Sequence, residues 1–183
     1  MSVKNEILLK PFSQSSGFCG PACVKMLLNY FKVGDCEERE IADLALSTRE
    51  RGTSLRGFIK VANYFYLQLI VKDNSKISDL GYCINKKVPV VVDWFLEDDG
   101  HYSLVTGLDL DEEKIVIIDP AHDHHRREES IAWFMRVWFD YYGNYPYRRK
   151  NFILRRMIVL TPFEDSFQMR GGRILTRPPR LTT

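Results

Sequence analysis

The hydrophobic pattern of this chain changes character near residue 88, and that change limits the folds open to it. Up to Asn85 most apolar residues recur at helical spacing; from Val88 they gather in β-branched runs of strand length. The first half predicts four helices, over residues 21–31, 37–46, a stretch following Gly52-Thr53-Ser54, and 77–85, with short strands at 7–9 and 67–71. Gly52-Thr53-Ser54 offers a cap for the third helix, whose apolar face carries Leu55, Phe58, Ile59 and Ala62. The second half predicts strands at 88–94, 101–108, 114–118 and 152–160, and a helix at 130–141 bearing Trp133, Phe134, Val137 and Trp138. Helices first and strands later is the α+β pattern, with a helical lobe on an antiparallel sheet and a cleft between them.

A chain of 183 residues supports one domain with a core, assigned here to residues 1–162. After Pro162 the periodicity fades, and Gly171-Gly172, Pro178-Pro179 and several arginines read as a flexible basic tail over 163–183. With 45% hydrophobic and 27% charged residues, the composition is that of a globular protein. A net charge of +2 does not call for a nucleic-acid partner. No apolar run reaches membrane-spanning length, and residues 1–6 lack the features of a secretory signal. A cytoplasmic, reduced protein is therefore expected, with Cys23 and Cys83 as core thiols and Cys36 exposed or capping.

The chemistry begins at Cys19-Gly20-Pro21-Ala22-Cys23, where a polar loop gives way to a helix. A cysteine at a helix mouth sits near unpaired N–H groups and the positive dipole end, which favour thiolate. Pro21 lies in the first turn, where its missing N–H is harmless. Cys23 falls one turn further on and reads as packing. A nucleophilic Cys19 needs a base and a group that orients the base. If the strands at 101–108 and 114–118 form a hairpin, His101 at the start of one lies beside Asp119 at the end of the other.

These segments resemble the papain-like cysteine peptidases, and within them stand-alone relatives of the bacteriocin-processing, double-glycine peptidase domain. The resemblance spans roughly residues 11–140 and rests on Cys19-Gly20-Pro21-Ala22, Gly52-Thr53-Ser54-Leu55, Val88-Pro89-Val90, Gly100-His101-Tyr102-Ser103-Leu104-Val105-Thr106-Gly107 and Ile118-Asp119-Pro120, in order. It implies a papain-like fold and a thiol peptidase working through a Cys19–His101–Asp119 triad and an acyl-enzyme. Gln14 is implied as the oxyanion-binding residue. No cofactor is implied, and the expected partner is a peptide or protein substrate of leader type. Phe18 stands where the transporter-linked members usually carry aspartate.

Two rival readings follow from the residues. The same cleft could bind peptides, or transfer a peptidyl group, without hydrolysis. The histidines at 122, 124 and 125, with Asp119 and Asp123, have the density of a divalent-metal site, although Arg126 and Arg127 oppose a nearby cation. Tyr141, Tyr142, Tyr145 and Tyr147, mixed with Arg148, Arg149 and Lys150, read as an exposed hairpin or loop.

Overall fold

The computed structural model describes residues 5–96, 99–143, 148–165 and 167–176. Three helices come first: α1 (Cys19–Phe31), α2 (Glu38–Ala45) and α3 (Leu55–Tyr64). Helix α2 starts with a reciprocal cap between Glu37 and Glu40, and Ser54 Oγ accepts the Gly57 N–H at the start of α3. Strand β1 (Leu67–Lys72) and helix α4 (Ile77–Asn85) follow, both close to the sequence expectation.

The remaining strands are β2 (Val90–Leu96), β3 (Asp99–Asp109), β4 (Lys114–Ile118) and β5 (Arg126–Ser130), then α5 (Ile131–Val137), β6 (Phe139–Tyr141), β7 (Phe152–Leu154), β8 (Arg156–Pro162) and β9 (Arg173–Ile174). Six of them and β1 form one antiparallel sheet in the order β5-β4-β3-β2-β8-β1-β9, while β6 and β7 make a separate pair.

Alternation along the central strands explains why they read as continuous apolar runs. Val90, Val92, Trp94, Met157 and Val159 pack with Leu80, Cys83, Ile84 and Phe134 of α4 and α5. Val91, Leu104, Ile158 and Leu160 pack with Leu27, Ile41, Phe58 and other residues of α1, α2 and α3. Both faces of the sheet are buried, so both sets of positions are apolar. The expected helical lobe is present, and α4 and α5 add a second layer behind the sheet.

Four local expectations are corrected. The helix expected at 130–141 stops at Val137; Trp138 leaves the helix and donates its Nε1–H to Arg156 O at 2.9 Å, and the chain turns into β6. The strand expected at 152–160 is broken at Arg155, whose φ of 48° bends the chain between β7 and β8. Residues 126–130 form strand β5 where the sequence predicts only loop, because the strand is wholly polar. Its arginines pair with acids, Arg126 with Glu6 and Arg127 with Glu129, so this edge of the sheet is charged rather than apolar. The segment expected to be a flexible tail instead straps the opposite edge. Phe167 is buried, β9 pairs with β1, and the Thr176 hydroxyl bonds Leu69 N and Leu67 O at 2.8 and 3.0 Å. Residues 177–183 lie outside the described part of the chain, as do Tyr145 and Tyr147.

Candidate active site

Cys19 is the first residue of α1, and its neighbour Gly20 is where the helix meets the α2–α3 loop. A Cβ on Gly20 would lie 2.4 Å from Thr53 Oγ1, so only glycine permits this approach. That contact ties the first two sequence motifs together. Phe18 provides no side-chain cap to α1, so first-turn N–H groups of the helix remain for a ligand. The preceding loop is fixed by its backbone: Gln14 N donates to Pro120 O at 3.0 Å, and Ser15 N donates to Glu38 at 2.9 Å.

The hairpin of β3 and β4 pairs Leu104 with Ile118, which brings the start of β3 and the residue after β4 to the same end. There His101 Nε2 meets Asp119 Oδ1 at 2.7 Å, and Cys19 acts on the same imidazole from the start of α1. With Nε2 taken by Asp119, Nδ1 is the ring nitrogen left to face sulfur. Cys19 and His101 are each 8% exposed and Asp119 is 1% exposed, so their interactions are shielded from water. Burial acts to lower the imidazole, but its bond to Asp119 and its interaction with Cys19 outweigh that and raise it from 6.5 to about 9. Burial likewise acts to raise Asp119, yet His101, the Ala121 N–H and Arg127 hold its carboxyl below the usual range.

Arg127 joins this group without having been a sequence candidate. Its Nη1 donates to Asp119 Oδ2 at 3.1 Å, while its guanidinium lies over the rings of Trp94 and Trp133 at 5.4 and 5.6 Å. Trp94 also packs against His101, ring centroids 5.9 Å apart. Only the pairing of β5 with β4 could have pointed to Arg127, and β5 has no apolar alternation to announce it.

A cleft of about 890 Å³ opens over this group and is lined by Gln14, Cys19, His101 and Asp119 together. Gln14 Oε1 is buried with no hydrogen-bond partner among the described residues. All four sequence candidates thus converge on one cavity. The other cysteines do not join them. Cys23 is fully buried with its Sγ 3.5 Å from Tyr102 O, and burial pushes its thiol well up. Burial also pushes Cys83 up to about 12, and Cys36 Sγ lies 3.4 Å from Glu40.

The histidine loop folds on itself. His125 Nε2 meets Ser13 Oγ at 3.1 Å, and His124 N donates to His122 Nδ1 at 3.2 Å. Among the described residues no group of three or more His, Cys, Asp or Glu side chains is arranged to hold a metal ion. Tyr141 lines the cleft, and the exposed Tyr142 accepts a hydrogen bond from Arg156 at 3.3 Å. Among the described residues, no helix is long and apolar enough to cross a membrane.

The family model described as "Peptidase C39 family" matches residues 12–142. Among solved structures, the chain resembles the peptidase domain of Streptococcus ComA, a bi-functional ABC transporter involved in quorum sensing, at 18% identity and a TM-score of 0.66, covering 85% of this chain and 98% of that one. A double glycine motif protease from an AMS/PCAT transporter, in complex with the leader peptide, matches at 16% identity and a TM-score of 0.63, covering 87% and 95%. A C39-like peptidase from Bacillus anthracis matches at 13% identity and a TM-score of 0.58, covering 97% and 98%. Among curated proteins none matches the sequence.

Proposed function

Because the chain belongs to the peptidase C39 family and is a cysteine peptidase, we propose that it cleaves a peptide of leader type through Cys19, His101 and Asp119. The observation that carries this reading is the buried His101–Asp119 hydrogen bond, closed behind by Arg127, lining one cleft with Cys19 and Gln14. Cys19 Sγ attacks the scissile carbonyl after its proton passes to His101 Nδ1. The resulting oxyanion is held by the Gln14 side-chain amide and the Cys19 backbone N–H. Imidazolium His101, kept charged and oriented by Asp119, then protonates the departing amine. Water, activated by the same imidazole, releases the acyl-enzyme and restores the thiol.

A peptide substrate is supported by the structural neighbour crystallised with the leader peptide, and by the cleft of about 890 Å³ over Cys19 and His101. The four free cysteines fit a reducing compartment such as the cytoplasm. A thiol-reactive peptide probe labels Cys19 in the wild type and fails to label Cys19→Ala. Labelling that persists at the same rate in Cys19→Ala removes Cys19 as nucleophile. Peptide binding without turnover by either form would favour the non-hydrolytic alternative.

A further inference from the structure

The loop that carries Gln14 belongs to no helix or strand, yet its place relative to His101 decides whether the Gln14 amide meets an oxyanion. The Gln14 side chain does little to hold itself, because its Oε1 is buried with no hydrogen-bond partner among the described residues. The amide is therefore placed by the backbone around it. Contacts from both lobes fix that backbone. Glu38, the first residue of α2 and 6% exposed, accepts the Ser15 N–H at 2.9 and 3.2 Å. Pro120 O accepts the Gln14 N–H at 3.0 Å, and Ser13 Oγ meets His125 Nε2 at 3.1 Å.

His125 is set for that contact by the chain around it. It stands between β4 and β5 with a φ of 54°, a left-handed conformation that turns the loop back toward Asp119. Its carbonyl accepts the Asp119 N–H at 2.7 Å, and its own N–H donates to His122 O at 2.9 Å. Its ring Nδ1 lies 3.3 Å from Asp119 O. A carbonyl oxygen only accepts, so Nδ1 is assigned the proton of the neutral ring and Nε2 offers a lone pair to the Ser13 hydroxyl. One imidazole thus spans from the backbone of Asp119, which orients His101, to the residue before Gln14. Gln14 lines the cleft over Cys19, whereas Ser13 and His125 line a smaller cavity of about 340 Å³ that shares Gln14, Ala121 and His122 with it.

We propose that His125, acting through Ser13, is a positioning residue that holds Gln14 against the His101–Asp119 pair, so that the Gln14 amide meets the developing oxyanion. The inference rests on the peptidase reading, with Gln14 as its oxyanion donor. Placement of such a donor matters on a fine scale: a shift of about 1 Å costs about a hundredfold in rate. Cutting one of the ties loosens the loop while Glu38 and Pro120 still hold it. The expected loss is therefore smaller than that for removing Gln14, about five- to twentyfold in kcat with KM little changed.

The test cuts the tie from opposite ends. Ser13→Ala removes the hydroxyl, while His125→Asn keeps a donor toward Asp119 O, tolerates the positive φ and has no atom in place of Nε2. Both are expected to lower kcat by the same factor in steady-state cleavage of one peptide, and Ser13→Thr, which restores a hydroxyl, is expected to recover it. In a Gln14→Ala background the same substitutions should change kcat by less than about twofold, because the group they position is gone. An equal loss in both backgrounds, or an unchanged kcat with a lowered melting temperature, makes the contact merely structural and overturns the proposal. A second measurement needs no turnover. The Gln14 side-chain amide signals in the NMR spectrum of Cys19→Ala, assigned by their absence in Gln14→Ala, should move when Ser13→Ala is added. Signals that stay in place overturn the positioning role. Signals that move in a protein whose wild type cleaves no peptide support the tie and refute the peptidase reading alone.

Discussion

Replacing Arg127 with methionine keeps most of the side chain's length and removes its charge. Asp119 is 1% exposed, so its Oδ2 then has no water to replace the donor 3.1 Å away. Losing one hydrogen bond to a buried carboxylate costs about 1.5–3 kcal/mol. The guanidinium also lies over Trp94 and Trp133, and each such contact contributes about 0.5–1 kcal/mol. Glu129 is partly solvated and re-hydrates at little cost. The expected loss is therefore about 2.5–5 kcal/mol at neutral pH, measured by urea unfolding with unchanged m-value. Because Asp119 is held low in the fold, its stabilisation is present above the unfolded carboxyl value and disappears as pH falls through the folded one. The deficit should thus be full at pH 7 and shrink below about pH 4. Arg127→Lys, which keeps charge but neither the fork nor the stacking, should fall between. A methionine variant within about 0.5 kcal/mol of wild type at pH 7 would refute the idea that Arg127 anchors Asp119.

Three further outcomes follow from the same geometry. His101 is raised to about 9, against its burial, by its bond to Asp119 and its interaction with Cys19, so cleavage should decline as pH rises through about 9. In Asp119→Asn that alkaline limb should move down by about one pH unit or more, and an unmoved limb would mean another group controls it. Gln14→Ala should lower kcat about a hundredfold with KM little changed, in steady-state cleavage of one peptide; a pure KM effect would make Gln14 a binding residue instead. Deleting the chain from Phe167 onward removes a buried aromatic and both Thr176 hydrogen bonds. A net loss of about 2 kcal/mol in thermal or urea unfolding is expected, and unchanged stability would make the strap dispensable.

Much of the fold and the site is legible in the residues themselves, for identifiable reasons. Helices α2 to α4 announce themselves because each buries one face, leaving a 3.6-residue period around Ile41, Phe58 and Ile84, whereas α1 is buried on every side from Cys19 to Leu28 and reads as an apolar run. Strands β2 and β4 are legible because burial on both faces makes them runs of valine and isoleucine. Cys19, His101 and Asp119 each mark the end of a readable element, so the hairpin register brings two of them together. What stays hidden depends on tertiary pairing. Strand β5 is stabilised by ion pairs at an edge, which leaves no hydrophobic signature, and Arg127 is hidden with it. Strand β9 is two residues long and exists only because β1 offers it an edge. Asp93 looks like a polar interruption in a strand; its pairing with Asp140 becomes visible only once β6 is folded beside it.

Whether Cys19 is driven by His101 is decided by its alkylation rate. Iodoacetamide labelling, located by mass spectrometry, is followed from pH 5 to pH 8 in wild type and in His101→Ala. With His101 as its base, Cys19 of the wild type should label at least about tenfold faster than in His101→Ala. Equal rates in the two proteins at every pH would contradict the Cys19–His101 pair on which the proposed chemistry depends.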